Sequence, residues 1–386
     1  MTYDTDLSFN YFSPTKVIFG INSLNELPME INALGKKAIL VTDPGIEAAG
    51  LVEPAKKIMG NLLAVVYSDI PQDSGMEIVD KGAQLALAKG ADVVVSLGGG
   101  SVIDTAKGMC IVMKEGGSMR DYQGTQMLTR PQTPHIVIPT TAGTGSEVSS
   151  GAVIYDKEQK QKIIYLESFN IPKVAILDPK MTEKLPPGLT ATTGMDALTH
   201  AIESYTTTQR NPMSDAAALH AIRLIVKYLP GAVKNGSDLV ARGQMQIAAL
   251  LAGFAFSNSV LGLVHAMAHS LGAVCRVPHG VANGILLPYV MAYNLDEISD
   301  LLGDIAIALG ADVKNLESGE AAKAAIEKVR GLIRGIGIPE YLKDVGVDES
   351  KLNECAELSM SDAGIVCNSK MIFDPEEVLK IYQTAY

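Results

Sequence analysis

Asp92-Val-Val-Val-Ser-Leu97-Gly-Gly-Gly-Ser101 joins a short β-branched run to a helical stretch that continues to about Met113. Three similar runs precede or follow it, at residues 37–42, 62–67 and 135–139. Helical stretches separate the earlier runs, near residues 45–60 and 76–89. Short buried strands that alternate with helices are typical of a parallel sheet covered on both faces. We therefore predict a Rossmann-like α/β domain, which further strands complete at 152–155, 162–166 and 174–178.

The strand signals stop after Pro186-Pro187, and the rest of the chain is typical of helices joined by Gly and Pro turns. Ser214 is predicted to cap a helix that runs through Tyr228 and ends at Pro230, and Ser237-Asp238 to start the next. We expect the α/β domain at residues 1–187 and an all-helical domain at 188–386. The cleft between them is the expected active site.

Charge and composition exclude several classes of partner and compartment. The net charge of −11 disfavours binding to nucleic acid. Met1–Gly20 has no basic start followed by an apolar run, so we expect no signal peptide. Ile247–Val274 lacks charged residues, but its glycines and polar groups favour a pair of buried helices over a membrane span. The four scattered cysteines fit a reduced, cytoplasmic protein.

The glycines Gly98, Gly99 and Gly100 with Ser101 form a candidate phosphate-binding loop, because they link a strand to a helix start. Glycines let the backbone approach a phosphate, and the free N–H groups at the helix start can bind it. The G-x-G-x-x-G fingerprint is absent from the first strand–helix turn, and the chain contains no P-loop motif. A glycine-rich turn with no ligand remains the alternative.

Two further features are expected at the same edge of the sheet. Asp43 follows the first of the runs, where its carboxylate could hold ribose hydroxyls and favour NAD over NADP. A role as a simple turn residue is the alternative for Asp43. A second loop of small residues, Thr140–Glu147, follows the run that ends at Pro139 and could contact a ribose or pyrophosphate.

Acidic and imidazole side chains recur at helical spacing in the second half. Asp196 and His200 are four residues apart, as are His265 and His269, and His279 follows in a turn. Side chains at i and i+4 share one helix face, so each pair could direct two ligands to one ion. One carboxylate with three imidazoles suits Fe²⁺ or Zn²⁺. Each residue alone could instead be structural, which is the role we predict for His135 and His220.

Four motifs occur in order: Gly98-Gly-Gly-Ser-Val-Ile-Asp104, Pro139-Thr-Thr-Ala-Gly-Thr-Gly-Ser-Glu147, Thr193-Gly-Met-Asp-Ala-Leu-Thr-His200 and His265-Ala-Met-Ala-His-Ser-Leu-Gly272. With them the chain resembles the iron-containing alcohol dehydrogenase family, nearly end to end. The resemblance implies a dinucleotide-binding α/β domain and a helical metal domain. It also implies NAD and Fe²⁺ as cofactors, with Zn²⁺ or another divalent metal possible, and assembly into dimers or larger homo-oligomers.

The resemblance also implies roles for particular residues. His269 would be a catalytic proton relay. The metal ligands would be Asp196, His200, His265 and His279. The residues around the dinucleotide would be Asp43, Gly98, Gly99, Gly100, Ser101, Asp104, Thr140, Thr141, Thr144 and Lys162.

The expected reaction is hydride transfer between NAD(H) and a short-chain primary alcohol or diol, or the corresponding aldehyde. The alternatives are a glycerol dehydrogenase-like zinc enzyme, a dehydroquinate synthase-like enzyme without net redox chemistry, and a sensor without turnover. Phe254 and Phe256 could line the pocket, although plain packing is expected for at least one of them. Two segments depart from the family pattern: Asn368-Ser369-Lys370 replaces a common Asn-Pro-Arg, and Ser149–Ala152 is unusually small, which predicts a roomier substrate cavity.

Overall fold

The computed structural model describes residues 7–72, 74–159 and 161–386. Within them it contains eight strands: β1 (Lys16–Phe19), β2 (Ala38–Val41), β3 (Leu63–Tyr67), β4 (Val93–Gly98), β5 (His135–Pro139), β6 (Gly151–Asp156), β7 (Gln161–Leu166) and β8 (Val174–Leu177). The same residues contain fourteen α-helices: α1 (Leu27–Leu34), α2 (Pro44–Ala48), α3 (Val52–Met59), α4 (Met76–Ala88), α5 (Gly100–Glu115), α6 (Pro187–Thr206), α7 (Pro212–Lys234), α8 (Leu239–Phe256), α9 (Leu263–Cys275), α10 (His279–Ala308), α11 (Ser318–Gly335), α12 (Leu352–Ser359), α13 (Gly364–Cys367) and α14 (Pro375–Thr384).

Six of these strands form a parallel sheet in the order β1-β8-β5-β4-β2-β3. Strands β2, β4, β5 and β8 are buried along their whole length, which confirms the predicted parallel sheet with helices on both faces. The register pairs Val41 with Ser96 and Gly98 with Pro139. The carboxyl ends of β2, β4 and β5 therefore lie side by side.

The last three strands divide between two sheets. β8 joins the parallel sheet, whereas β6 and β7 form a separate antiparallel hairpin. The Asp104 carboxylate on α5 accepts the backbone N–H of Val153 at 3.0 Å, and this bond ties the hairpin to the helix.

From Pro187 onward, the described structure consists of helices around one apolar core. The charge-free stretch Ile247–Val274 falls in α8 and α9, separated by residues 257–262, as the glycine pattern predicted. Helices α7 and α8 are long and apolar enough to cross a membrane by length and composition, and both pack against α6. The division into domains at residue 187 remains a prediction.

Two predicted helix limits were wrong. Asn211, not Ser214, caps α7: its side chain accepts the N–H groups of Met213 and Ser214, and the Ser214 hydroxyl accepts the N–H of Asn211 in return. The helix also continues past Pro230 to Lys234, because Leu229 and Ala232 on either side of the proline are buried in the core.

The helical stretch near residues 45–60 is two helices rather than one. Gly50 lies between α2 and α3 with a φ of 74°, in the left-handed region that favours glycine and that ends α2.

Candidate active site

The glycine loop lies where β4 ends and α5 begins. Gly98 is the last residue of β4, Gly99 is the N-cap, and α5 starts at Gly100. A Cβ on Gly99 would lie 3.2 Å from Cγ2 of Thr141, and one on Gly100 would lie 2.9 Å from Cγ2 of Thr144. The two predicted loops therefore touch, and a larger residue at Gly99 or Gly100 would have to displace Thr141 or Thr144.

The second loop presents hydroxyls without protein partners. Oγ1 of Thr140 and Oγ1 of Thr141 are buried, and neither has a hydrogen-bond partner among the described residues. A buried hydroxyl without a partner is costly, so these two groups fit a site where a bound ligand supplies the bond. A dinucleotide with its ribose hydroxyls and phosphate oxygens is such a ligand.

Asp43 stands at the carboxyl end of β2, at the same edge of the sheet as the two loops. Its Oδ1 accepts the N–H of Ile46 at 2.9 Å and so caps the short helix α2. Asp43 therefore has the turn role that the sequence left open. The predicted contact with a ribose would have to use the other oxygen of this half-buried carboxylate.

Asp104 on α5 and Lys162 on the hairpin lie where the helix meets the hairpin. Burial raises the pKa of the Asp104 carboxyl, against the opposing effects of the Lys107 and Lys162 ammonium groups. Lys162 is on β7, opposite Tyr155.

Sequence reasoning missed a buried cation beneath the second loop. Nζ of Lys107 is fully buried and donates to Ser149 O at 2.9 Å, Ser149 Oγ at 3.2 Å and Gly151 O at 2.6 Å. Burial lowers the pKa of Lys107 to about 8 and raises that of the nearby Glu147 carboxyl to about 7. The ammonium group thus holds the end of the small-residue segment in place, with all three donors used.

The predicted metal ligands converge on Oδ1 of Asp196. The Nε2 atoms of His279, His265 and His200 lie 3.4, 3.7 and 3.8 Å from it. Asp196, His265 and His279 form a group whose ligand atoms all lie within 4.8 Å of one another. His200 is not part of that tightest group, but its ring stacks on His265 with centroids 4.6 Å apart. Helices α6, α9 and the start of α10 supply these side chains.

Neighbouring oxygens hold two of the imidazoles by Nδ1. The Glu203 carboxylate binds Nδ1 of His265 at 2.5 Å, and the carbonyl of Gly143 in the second loop lies 3.3 Å from Nδ1 of His200. Both rings therefore turn Nε2 toward Asp196. This is the arrangement in which a metal-binding histidine is usually held.

Asn283 lies at the centre of the group, one helical turn after His279. Its Nδ2 donates to Asp196 Oδ1 at 2.7 Å and lies 3.2 Å from Nε2 of both His265 and His279. These three atoms thus converge on one point. A buried set of one carboxylate and several imidazole nitrogens fits Fe²⁺ or Zn²⁺, and a cation there would take the place of the Asn283 amide.

Asp196 and the neighbouring histidines shift one another's pKa values. Burial alone would raise the pKa of Asp196, but the surrounding imidazoles hold it well below its usual range. Burial opposes charge on His265, yet its bonds to Asp196 and Glu203 raise the pKa of His265 to about 9. Burial lowers the pKa of His200 to about 4. The site therefore stabilises positive charge between Asp196 and Glu203.

His269 stands beside this group. Its ring stacks on His279 with centroids 5.3 Å apart, and its Nδ1 bonds to Oδ2 of Asp362 at 2.8 Å. Burial would raise the pKa of Asp362, but the bond to His269 lowers it. The half-exposed ring thus has Nδ1 engaged and Nε2 available for proton exchange.

The two phenylalanines have different surroundings. The ring of Phe256 lies 4.6 Å from that of His200, at the site. Phe254 packs with Val148, Leu177 and Leu250, away from the histidines. His135 and His220 stay outside the site as predicted: His135 is buried against the Ser96 hydroxyl at 2.8 Å, and His220 is exposed on α7.

Residues 368–370, one of the two segments that depart from the family pattern, lie near Glu203. Asn368 and Asn294 are both buried and exchange two hydrogen bonds of 2.8 Å. Together with Glu203 they line a small pocket of about 10 Å³. The Lys370 ammonium reaches the carbonyl of Tyr293 on α10.

Besides Lys107, three polar residues at the site were not predicted from the sequence. Glu203 is three residues after His200, and Asn283 is four after His279, so helical spacing could have found both. Asp362 is 93 residues from His269 and carries no local signal.

Comparisons with known proteins agree with this architecture. The sequence model of the iron-containing alcohol dehydrogenase matches residues 14–179, and that of the Fe-containing alcohol dehydrogenase family C-terminal region matches residues 190–386. The chain is 39% identical to 1,3-propanediol dehydrogenase of Klebsiella pneumoniae, over 98% of this chain and 99% of that one. It is 37% identical to NAD-dependent methanol dehydrogenase of Bacillus methanolicus, over 96% of this chain and 99% of that one.

Solved structures give the same result. A crystal structure of 1,3-propanediol oxidoreductase superimposes with a TM-score of 0.96 at 39% identity, covering 98% of this chain and all of that one. Sequence, fold and the candidate metal group agree across the whole chain, which therefore belongs to the iron-containing alcohol dehydrogenase family and is an oxidoreductase of the alcohol dehydrogenase type.

Proposed function

We propose that this protein transfers a hydride reversibly between NAD(H) and a short-chain primary alcohol or diol, or the corresponding aldehyde. The observation that carries the proposal is the bond between His200 and Gly143, which joins the metal group to the loop with the two unpartnered hydroxyls. Nicotinamide and substrate oxygen can meet only if cofactor loop and metal group are neighbours, and here they share a contact.

The cofactor would lie along the edge formed by the carboxyl ends of β2, β4 and β5. Gly99, Gly100 and the start of α5 offer free N–H groups for the pyrophosphate, and Thr140 and Thr141 offer hydroxyls. We assign the ribose contact and the preference for NAD to Asp43. The remaining candidates are Gly98, Ser101, Asp104, Thr144 and Lys162.

Asp196, His200, His265 and His279 would hold the divalent metal, Fe²⁺ or Zn²⁺. Such a metal supplies the Lewis acidity that lowers the pKa of an alcohol hydroxyl. Glu203 keeps His265 oriented, and His269 moves the hydroxyl proton at Nε2 while Asp362 holds its Nδ1. Phe256 forms an apolar wall that excludes water from the reacting carbon.

The substrate cavity is proposed to accept more than methanol. Ser149, Ser150, Gly151 and Ala152 present small side chains, and Lys107 fixes the backbone of the first and third of them. Rates across straight-chain alcohols from methanol to hexanol test this point, and a sharp optimum at methanol would contradict it.

The experiment for the function uses protein purified without oxygen, stripped of metal and reloaded with Fe²⁺ or Zn²⁺. NADH absorbance is followed with 1,3-propanediol, propanal and lactaldehyde, on the wild type and on Asp196→Asn. We expect turnover that requires metal and is lost in the variant. NADH binding without turnover under any metal would favour the sensor or the dehydroquinate synthase-like alternative.

The setting of the enzyme completes the proposal. We place it in the cytoplasm, as a homodimer or larger homo-oligomer that binds neither nucleic acid nor membrane, with its domain boundary near residue 187. The net charge of −11 supports the absence of a nucleic-acid partner, and the four cysteines without a Cys-x-x-Cys pair support the cytoplasm. Light scattering at several concentrations measures the assembly.

A further inference from the structure

Two cysteines outside the reaction site lie close together where α9 meets α12. Sγ of Cys275, the last residue of α9, is 3.8 Å from Sγ of Cys355 in α12. A disulfide needs about 2.05 Å between the sulfurs, so the two atoms must approach by about 1.8 Å. A rotation of the side chains and a shift of the helix end would have to close this gap.

Polar contacts hold the middle of α9, but its C-terminal end, which carries Cys275, is more exposed. Ser359 bonds to Ser270 at 3.1 Å, and the Tyr382 hydroxyl donates to Met267 O at 2.7 Å, so the middle of α9 is held by buried polar contacts. Cys275, in contrast, precedes Arg276, which is exposed and has a left-handed φ of 60° at the end of the helix. The fixed helices therefore present the sulfurs to each other, and the helix end can supply the remaining movement.

The two thiols differ in accessibility. Cys355 is fully buried, whereas Cys275 is half-buried next to exposed residues of the turn that follows α9. A small oxidant can thus reach Cys275 but not Cys355. In position and exposure, though not in thiol pKa, this matches an attacking cysteine with a resolving cysteine behind it.

We propose that Cys275 and Cys355 form a reversible disulfide when the protein meets hydrogen peroxide. Cys275 sulfur attacks one peroxide oxygen, the O–O bond breaks, and a sulfenic acid and one water are formed. Cys355 sulfur then attacks Cys275 sulfur, the S–S bond forms, the S–O bond breaks, and the Cys355 proton leaves with the oxygen as a second water. Two electrons pass from the two sulfurs to the peroxide.

Burial raises the pKa of both thiols. The thiolate is the attacking form, so the reaction is expected to be slow at neutral pH and faster in alkaline buffer. The bond would join the turn that leads into His279 to the helix that leads into Asp362.

The test counts thiols and maps cross-links in the full-length protein, independently of enzyme activity. Wild type, Cys275→Ser, Cys355→Ser and the control Cys367→Ser are treated with peroxide, alkylated and digested for mass spectrometry. We expect wild type and the control each to lose two thiols and to yield one peptide that joins residues 275 and 355, reversed by dithiothreitol. Cys355→Ser is expected to accumulate a sulfenic acid at Cys275 that dimedone traps, and Cys275→Ser to keep its Cys355 thiol.

Three results would overturn the inference. They are a cross-link that joins other cysteines, a disulfide between two chains through Cys275, and no thiol loss in folded wild type. Because the cross-linked peptide is sought in the wild type itself, the test does not depend on how the serine variants fold.

Discussion

At the scale of single residues, Glu203 uses both of its carboxylate oxygens. One bonds to Nδ1 of His265, and the other accepts the N–H of Val264 at the start of α9. Glu203→Gln keeps the shape of the side chain but weakens the bond that orients His265. We predict metal affinity roughly 10- to 100-fold lower, the usual effect of removing such a partner. Competition with a chromogenic chelator measures it.

The control for this prediction is Glu327→Gln on the exposed side of α11. Equal metal affinity in the wild type and both variants would mean that Glu203 has only a packing role.

Asp362→Asn tests the residue that holds His269. An amide cannot stabilise a charged imidazole as a carboxylate does, so proton transfer through His269 should suffer. We predict that kcat falls by roughly 10- to 1,000-fold, with unchanged metal content and a shifted pH profile. Exposed Asp296→Asn is the matched control, and loss of metal from Asp362→Asn would instead assign Asp362 to the metal group.

Residues four apart on one helix could be paired from the sequence, and this spacing found His269 and three of the four candidate ligands, Asp196, His200 and His265. The fourth, His279, came from the turn that follows them in the sequence. The partner of His269 could not be found in the same way. Asp362 reaches His269 only because α12 packs against α9, a contact that no local pattern specifies.

At the scale of elements, the second loop fits tightly between the sheet and α6. A Cβ on Gly143 would lie 2.5 Å from the carbonyl oxygen of Thr193, so Gly143→Ala must push the loop away from the helix. We predict a loss of about 1–3 kcal/mol in the free energy of unfolding, measured by thermal or urea denaturation. Gly331→Ala on the exposed face of α11 is the control, because no atom of the described residues lies within 4 Å of its added Cβ. There the free energy of unfolding should rise by up to about 1 kcal/mol. A neutral Gly143→Ala would show that the loop is not held against α6.

The loop also gives the protein a pH dependence. Burial raises the pKa of Glu147 from an ordinary 4.5 to about 7. Folding thus favours the neutral acid, and the stability that this contributes is present below pH 4.5 and lost as the pH rises through 7. Glu147→Gln stays neutral, so its Tm relative to wild type should increase between about pH 5 and about pH 8, with a chelator present throughout. A constant difference in Tm would contradict the raised pKa.

The alternation of apolar runs and helices was enough to predict the parallel sheet, because it reports burial on both faces. It was not enough for α7, where reciprocal capping by Asn211 and Ser214 and the buried residues around Pro230 decide the limits. Likewise, the hairpin of β6 and β7 was expected only as further strands, since nothing local distinguishes an added hairpin from another sheet strand.

At the scale of the whole molecule, the bond from His200 to Gly143 connects the two halves of the chain. A metal that orders His200 should also order the loop that we assign to NAD. We predict that metal-loaded protein binds NADH several-fold tighter than stripped protein, and that NADH tightens metal binding by the same factor. NADH fluorescence titrations measure the first factor, and equal affinities would mean that the two sites are independent.

The most direct test of the account is whether hydrogen passes from the alcohol carbon to the cofactor at this metal group. Metal-loaded protein is mixed with NAD and 1,3-propanediol deuterated at its hydroxyl-bearing carbons, and the recovered cofactor is analysed by mass spectrometry, with Asp196→Asn alongside. We predict NADH that carries one deuterium from the wild type, and no reduced cofactor from the variant. Reduced cofactor without deuterium, or equal yields from the two proteins, would contradict hydride transfer at Asp196, His265 and His279.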